Sequence, residues 1–322
     1  MVFEMNNQIT VNIICNAFNH GPYIRDALES FVSQQTTFPF DVLVHDDAST
    51  DNTADIIREY EAKYPDIIKP IYQTKNQYQQ GIGVNKTFQR PRVNAKYVAL
   101  CEGDDYWTDP LKLQKQVDFM ENHPEYSMCA CSVLWLNMRT GKSQKLCHTD
   151  IDRDISMEEI ILEEKGRIFQ YATILTKSEC FVDMPEWAVG FGVGDTPLIM
   201  NAALHGKVRM LADVMAVYRN QTAGSWTARI SANREAKVKA FNKLVSGFSA
   251  FNKATEYKYD DIVSIRLRRQ KYKIAIAKQD LKTMLSKELR EEFRAKDLPH
   301  RFSDLLQCMA PKLQAAIMKR IK

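Results

Sequence analysis

Residues 97–107 read YVALCEGDDYW, and this stretch decides the fold. Tyr97 to Cys101 is a short apolar run of the kind that forms a buried strand, and it passes directly into three carboxylates, Glu102, Asp104 and Asp105. The same grammar recurs nearer the N-terminus. Phe40 to His45 (FDVLVH) is a second buried strand, running into Asp46-Asp47-Ala48-Ser49-Thr50-Asp51, and Thr10 to Cys15 (TVNIIC) is another, ending at Asn16. Helical spacing fills the gaps: Ile24, Leu28, Phe31 and Val32 follow Pro22, and Ile56, Ile57 and Tyr60 precede a stop at Tyr64-Pro65. Strands alternating with helices predict an α/β fold, a sheet covered on both faces with ligands bound beyond the carboxyl ends of its strands. Both acidic clusters fall at such ends, so carboxylates nearly sixty residues apart in sequence are expected to face one cleft.

Toward the C-terminus the alternation becomes less regular. Ile67 to Tyr72 reads as a strand, and Gln73 to Asn94 as a long polar loop around a weak helix. Asp109-Pro110 has the form of an N-cap and first helical residue, with Leu113, Val117 and Met120 as the buried stripe. Met128 to Leu136 and Tyr171 to Thr176 read as strands, with a short helix near Met157 to Leu162 between them. A Gly-rich loop, Gly190 to Gly194, leads to Asp195 as the cap of a helix over Thr196 to His205, and Val208 to Tyr218 supplies one or two short strands. From about Ile230 the pattern is long, charged and helical. The expected division is an α/β domain over residues 1–228 and a basic helical region over 229–322.

Bulk properties narrow the class. With 322 residues, 45% of them hydrophobic, the chain can bury a real core. Seven cysteines, odd in number and with no CxxC pair, argue against a disulfide framework or a zinc site and fit a reducing cytoplasm. No apolar run approaches the roughly 20 residues that span a bilayer, so a cytoplasmic protein is expected. The net charge of +4 is unevenly spread: residues 251–322 hold 18 Lys+Arg against 9 Asp+Glu, leaving the first 250 residues at −5. A basic tail on an acidic body suits anionic lipid, nucleic acid or merely solvated helix faces.

The acidic turn carries the chemistry. A carboxylate-rich strand end binds an anionic diphosphate only through an intervening cation, and Glu102 and Asp104 can hold one. Oxygen ligands with no His or Cys nearby favour Mg²⁺ or Mn²⁺ over zinc. An isolated EGDD equally suits an acidic turn capping the next helix. The buried strand before it and the second acidic strand end shift the balance toward a cation site.

Four segments together resemble family-2 glycosyltransferases of the GT-A fold: VNIICNAFNHGPYIRDALES, VHDDASTDNT, YVALCEGDDYWTDPLKLQKQ, and GFGVGDTPL followed by VYRNQTAGSW, spanning roughly residues 9–226. The resemblance implies a Rossmann-like, mostly parallel sheet with a C-terminal helical extension. It also implies transfer from a nucleotide-sugar donor, a UDP-sugar, to a glycan or lipid-linked saccharide acceptor with inversion, in cell-surface polysaccharide synthesis. By it, Ala17 and Phe18 lie against the nucleoside, Asp47 accepts from the base, and Asp46 shapes that turn. Glu102-Gly103-Asp104 occupies the family's DxD position, with Glu in place of the first Asp, and Asp105 belongs to the same donor site. Asp195 matches the general base, although by itself it reads more readily as a helix cap. Arg219 and Trp226 lie in the segment that folds over the donor, with Arg219 a partner for the diphosphate. Many relatives carry a metal-binding His just after this Tyr-Arg pair; Asn220 and Gln221 stand here instead.

Two other functions compete. A nucleotidyltransferase would place a Gly-rich basic phosphate loop after the first strand, where this chain has Asn16-Ala17-Phe18-Asn19-His20-Gly21. A non-catalytic nucleic-acid or membrane-surface binder would rest on the basic tail. The reading favoured here uses that tail to dock on the anionic inner face of the membrane, with no nucleic-acid partner.

Overall fold

The computed structural model describes residues 9–146, 150–164, 166–222, 233–311 and 313. The chain forms two compact units, residues 1–184 with 198–224 and residues 185–197 with 225–322.

The first unit is built on one mixed sheet. Its elements begin β1 (Val11–Ala17), α1 (Ile24–Val32), β2 (Phe40–Asp46), α2 (Thr53–Lys63), β3 (Ile68–Tyr72), β4 (Tyr97–Leu100), β5 (Tyr106–Trp107) and α3 (Lys112–Asn122). They continue with β6 (Tyr126–Asn137), β7 (Ser143–Leu146), β8 (Arg153–Asp154), α4 (Met157–Leu162), β9 (Leu175–Lys177), α5 (Ser178–Val182), α6 (Asp195–His205), of which only the residues from Leu198 on belong to this unit, and β10 (Lys207–Asn220). The strand order is β3-β2-β1-β4-β9-β6-β10-β5, with β7 paired to β6 and β8 to β10. Strands β3, β2, β1 and β4 are mutually parallel, as the alternating pattern requires, and β6 runs parallel to β10. The remaining pairs are antiparallel.

Buried faces follow the sequence spacing. In α1, Ile24, Ala27, Leu28 and Phe31 are buried, and Phe31 meets Trp107 edge to face at 4.9 Å between centroids. Each such side chain contributes roughly 1.5–3 kcal/mol on leaving water. Beneath the acidic turn lies a buried polar knot. Lys112 sits 4.2 Å from the Trp107 ring centroid and donates to Gln116 Oε1 at 2.7 Å, while Gln116 Nε2 donates to the Cys129 and Thr173 carbonyls.

Three elements differ from the sequence reading. Val208 to Tyr218 is part of a single 14-residue strand whose pairing with β6 slips around Leu211 and Val214, so bulges blur its alternation. Tyr171 to Thr173 is a 3-10 turn, and the chain becomes strand only at Leu175. Helix α3 starts at Lys112 rather than at Pro110, because Asp109 Oδ1 accepts from the Leu111 amide at 2.8 Å and forms its own turn first.

The second unit is helical: α7 (Arg234–Ala254), α8 (Asp260–Lys278), α9 (Leu281–Met284), α10 (Arg290–Arg294) and α11 (Leu298–Met309). Phe191 is buried against Phe248, with Trp187 against Phe251, so the segment 185–197 is fastened to α7 by aromatic packing. Gly247 is required there, since a Cβ would lie 2.4 Å from the Phe191 ring. Among the described residues, no helix is long and apolar enough to cross a membrane.

Candidate active site

The carboxyl ends of β1, β2 and β4 lie side by side. Ala17 pairs with Asp46, and Ile14 with Leu100. Beyond the strands, the Asp47 amide donates to the Ala17 carbonyl at 2.9 Å, and the Gly103 amide donates to the Asn16 carbonyl at 3.0 Å. The two acidic segments therefore flank the end of β1. Backbone strain gathers at the same place: Asn19 and Ala48 both adopt left-handed conformations, with φ of 55° and 59°.

Gly103 is the pivot of the acidic turn. A Cβ there would come within 2.7 Å of Ile24 Cδ1 and 2.9 Å of His20 Nδ1, so only glycine lets the turn press against β1 and α1. Its neighbours diverge in environment. Glu102 is half-buried and accepts from Asn16 Nδ2 at 3.4 Å. Asp104, also half-buried, accepts from the Thr222 hydroxyl at 2.9 Å through Oδ2, while its Oδ1 has no partner among the described residues. Asp105 is buried and accepts from the Arg219 amide at 2.8 Å. Burial, reinforced by the charges of Asp104 and Glu102, pushes the Asp105 carboxyl well above the usual range.

At the end of β2, Asp47 is buried with both carboxylate oxygens occupied. Oδ1 accepts from the Gln77 amide at 2.7 Å and Oδ2 from the Tyr78 amide at 3.1 Å, which pins the polar loop after β3. Asp46 accepts from the Ser49 amide at 3.3 Å and so shapes the turn, while burial raises its pKa. Ala17 is buried and Phe18 half-buried next to them.

Arg219 is almost wholly buried, and its groups are directed at the protein. Nη1 donates to the Asp104 carbonyl at 3.1 Å, Nη2 pairs with Asp26 of α1, and the guanidinium carbon lies 4.4 Å from the Tyr106 ring centroid. The side chain thus ties α1 to the acidic turn. Trp226 lies outside the described residues. Asp195 belongs to the second unit, where it opens α6, is half-buried and accepts from the Thr196 amide at 2.8 Å.

The family model for glycosyl transferase family 2 matches residues 12–181, more than half of the chain. The chain belongs to glycosyl transferase family 2. Its sequence is 35% identical over 227 residues to the protein Rv1520 of Mycobacterium tuberculosis, covering 70% of this chain and 63% of that protein. The match thus spans less than two thirds of that relative's length. The fold resembles S. aureus TarS 1-349, solved with UDP-GlcNAc, at a TM-score of 0.56 and 15% identity over 95% of this chain and 81% of that one. It also resembles the mannosyltransferase PcManGT of Pyrobaculum calidifontis, solved with GDP-Man and Mn²⁺, at a TM-score of 0.53 and 17% identity over 95% and 87%. The sheet and helices of this family-2 glycosyltransferase are those of the GT-A fold.

PcManGT was solved with Mn²⁺, and the acidic turn of this family-2 chain bears on whether a divalent cation fits here. Among the described residues, no group of three or more His, Cys, Asp or Glu is arranged to hold a metal ion. What the turn offers is two half-buried carboxylates and an Asp104 oxygen without a partner among the described residues, a hard-donor set. That fits Mg²⁺ or Mn²⁺ held by one or two carboxylates and completed by phosphate oxygens, and it does not fit an all-protein cage.

The candidate site also contains residues that the sequence reading passed over. Asn16 links Glu102 to Asn85, whose Nδ2 donates to the Tyr171 hydroxyl at 3.1 Å. Buried Gln89, in the stretch read as a weak helix, donates to Asn16 Oδ1 at 3.0 Å and to the Leu43 carbonyl. His20 stands beside Gly103, and its buried Nδ1 has no partner among the described residues. Only Asn16 carried a usable signal, as a polar residue ending an apolar strand.

Proposed function

We propose that this glycosyltransferase is metal-dependent and inverting, moving a sugar from a UDP-sugar to a glycan or lipid-linked saccharide acceptor in cell-surface polysaccharide synthesis, at the inner face of the membrane. One observation carries the reading: two acidic strand ends hydrogen-bond to either side of the end of β1, and one of them presents the half-buried Asp104 with an oxygen that has no partner among the described residues. Glu102 and Asp104 would hold Mg²⁺ or Mn²⁺, which when bound neutralises charge growing on the leaving diphosphate. Ala17, Phe18 and the Asp46-Asp47 turn border the nucleoside, with Asp47 ordering the loop that closes that side. Arg219 serves the donor indirectly by holding the Asp104-Asp105 backbone. Asp195 takes the proton from the acceptor hydroxyl as its oxygen bonds to the anomeric carbon and the bond to the diphosphate breaks. Support for Asp195 is the match of its GFGVGDTPL segment to the family pattern.

The test is a thermal-shift screen of UDP- and GDP-sugars with and without Mn²⁺. A manganese-dependent rise in melting temperature with at least one UDP-sugar, abolished by Asp104→Ala, is expected. A wild-type protein stabilised by no nucleotide sugar, with or without metal, overturns the proposal.

A further inference from the structure

Helix α11 is two-sided. Asp304 and Cys308 are buried on one side, joining Tyr272, Ala275, Ile276, Met284 and Leu289 in a small core. Asp304 accepts from the Tyr272 hydroxyl at 2.7 Å and from Lys296 at 2.5 Å. The helix start is fixed as well, since Asp297 accepts from the His300 amide at 2.9 Å. The other side is apolar and bare. Leu298 is 76% exposed, Phe302 60% and Met309 69%, and Leu313, just past the helix, is 54% exposed. At ~100° per residue the three helical positions fall within about 40° of one another, a single stripe rather than scattered exposure. Nothing in this small core needs that stripe to be apolar.

Charge indicates what covers it. From Leu305 to the end of the sequence there is no Asp or Glu, while Lys312, Lys319, Arg320 and Lys322 follow the helix. An apolar helical stripe followed in the sequence by cations and no acid is the pattern of a helix lying in the plane of an anionic lipid interface. A second copy of the chain would bring like charge against like.

We propose that α11 docks this protein on an anionic phospholipid surface, with Leu298, Phe302 and Met309 seated among the acyl chains and the following cations on the headgroups. This rests on the reading that the enzyme works at the inner membrane face, and it names the surface that reaches the bilayer.

The experiment is flotation of the full chain with phosphatidylglycerol/phosphatidylcholine vesicles, comparing wild type with Leu298→Ser/Phe302→Ser/Met309→Ser. Circular dichroism, sedimentation and nucleotide-sugar hydrolysis are followed in parallel. Wild type floats, retains part of its binding at high salt and binds pure phosphatidylcholine far less; the triple variant binds the anionic vesicles about tenfold more weakly while staying folded and hydrolysing donor as before. Three outcomes overturn the docking: equal flotation of both proteins, binding by charge alone that high salt removes entirely, or a wild-type dimer that the triple variant converts to monomer. Donor hydrolysis without vesicle binding would sink the docking and leave the glycosyltransferase reading intact; vesicle binding with no hydrolysis would do the reverse.

Discussion

The two acidic strand ends look equivalent in sequence and are not equivalent in the molecule. After β2, both Asp47 oxygens are taken by the Gln77 and Tyr78 amides. After β4, Asp104 gives one oxygen to Thr222 and keeps the other unpartnered among the described residues. A carboxylate saturated by backbone donors is committed to holding a loop. One left partly unsatisfied beside two like charges stays poised for an external cation. Asp46 Oδ1 also lacks a partner among the described residues, but Asp46 is buried whereas Asp104 is half-buried, so exposure together with the hydrogen-bond inventory separates a carboxylate committed to the fold from one that a cation can reach.

This contrast is broken or sharpened most strongly at Asp104. Asp104→Ala is expected to lower sugar transfer by about 10³-fold or more while the melting temperature stays close to wild type, since only a hydroxyl contact is lost. Full transfer in this variant would remove the distinction between the two ends. Next in size is Asp195→Asn, expected to cut transfer by about 10²-fold or more and leave donor affinity nearly intact, measured as kcat against donor Kd. Asp47→Ala should act differently from both. It frees two loop amides, so proteolysis between residues 73 and 94 should quicken and donor KM rise about tenfold, with kcat moving less.

Much of this layout is readable from the sequence, because a parallel core has strong local signatures. The runs VNIIC, FDVLVH and YVALC are apolar for their whole length and end abruptly in polar residues, which fixes both strand identity and the side on which ligands gather. What the sequence conceals is partner choice. Arg219, expected to meet a diphosphate, pairs instead with Asp26, 193 positions away, and no local pattern encodes that contact. Gln89 is one of several glutamines in a polar stretch, yet it alone of them is buried against β1 and β2. The pairs made by β5, β7 and β8 escape notice for a related reason: strands of two to four residues are defined by the strand they meet rather than by their own periodicity.

The smallest expected effect concerns His45, the residue just before Asp46 and Asp47. Its ring is buried and stacked on Phe88 at 5.2 Å, and neither ring nitrogen has a hydrogen-bond partner among the described residues. Burial, the dominant influence, lowers its pKa from 6.5, with Arg92 adding to that and Asp47 opposing it. A histidine whose folded-state pKa lies below its unfolded one contributes stability above pH 6.5 and loses it as pH falls through the lower folded value. Because the imidazole makes no hydrogen bond in this environment, His45→Phe should change the melting temperature little at pH 7.5. It should instead flatten the decline in melting temperature between pH 7 and pH 5. Melting curves at half-unit pH steps decide the matter: parallel profiles for wild type and variant would mean that acid lability resides elsewhere, and not at the buried Asp46, whose raised pKa favours the folded state as pH falls.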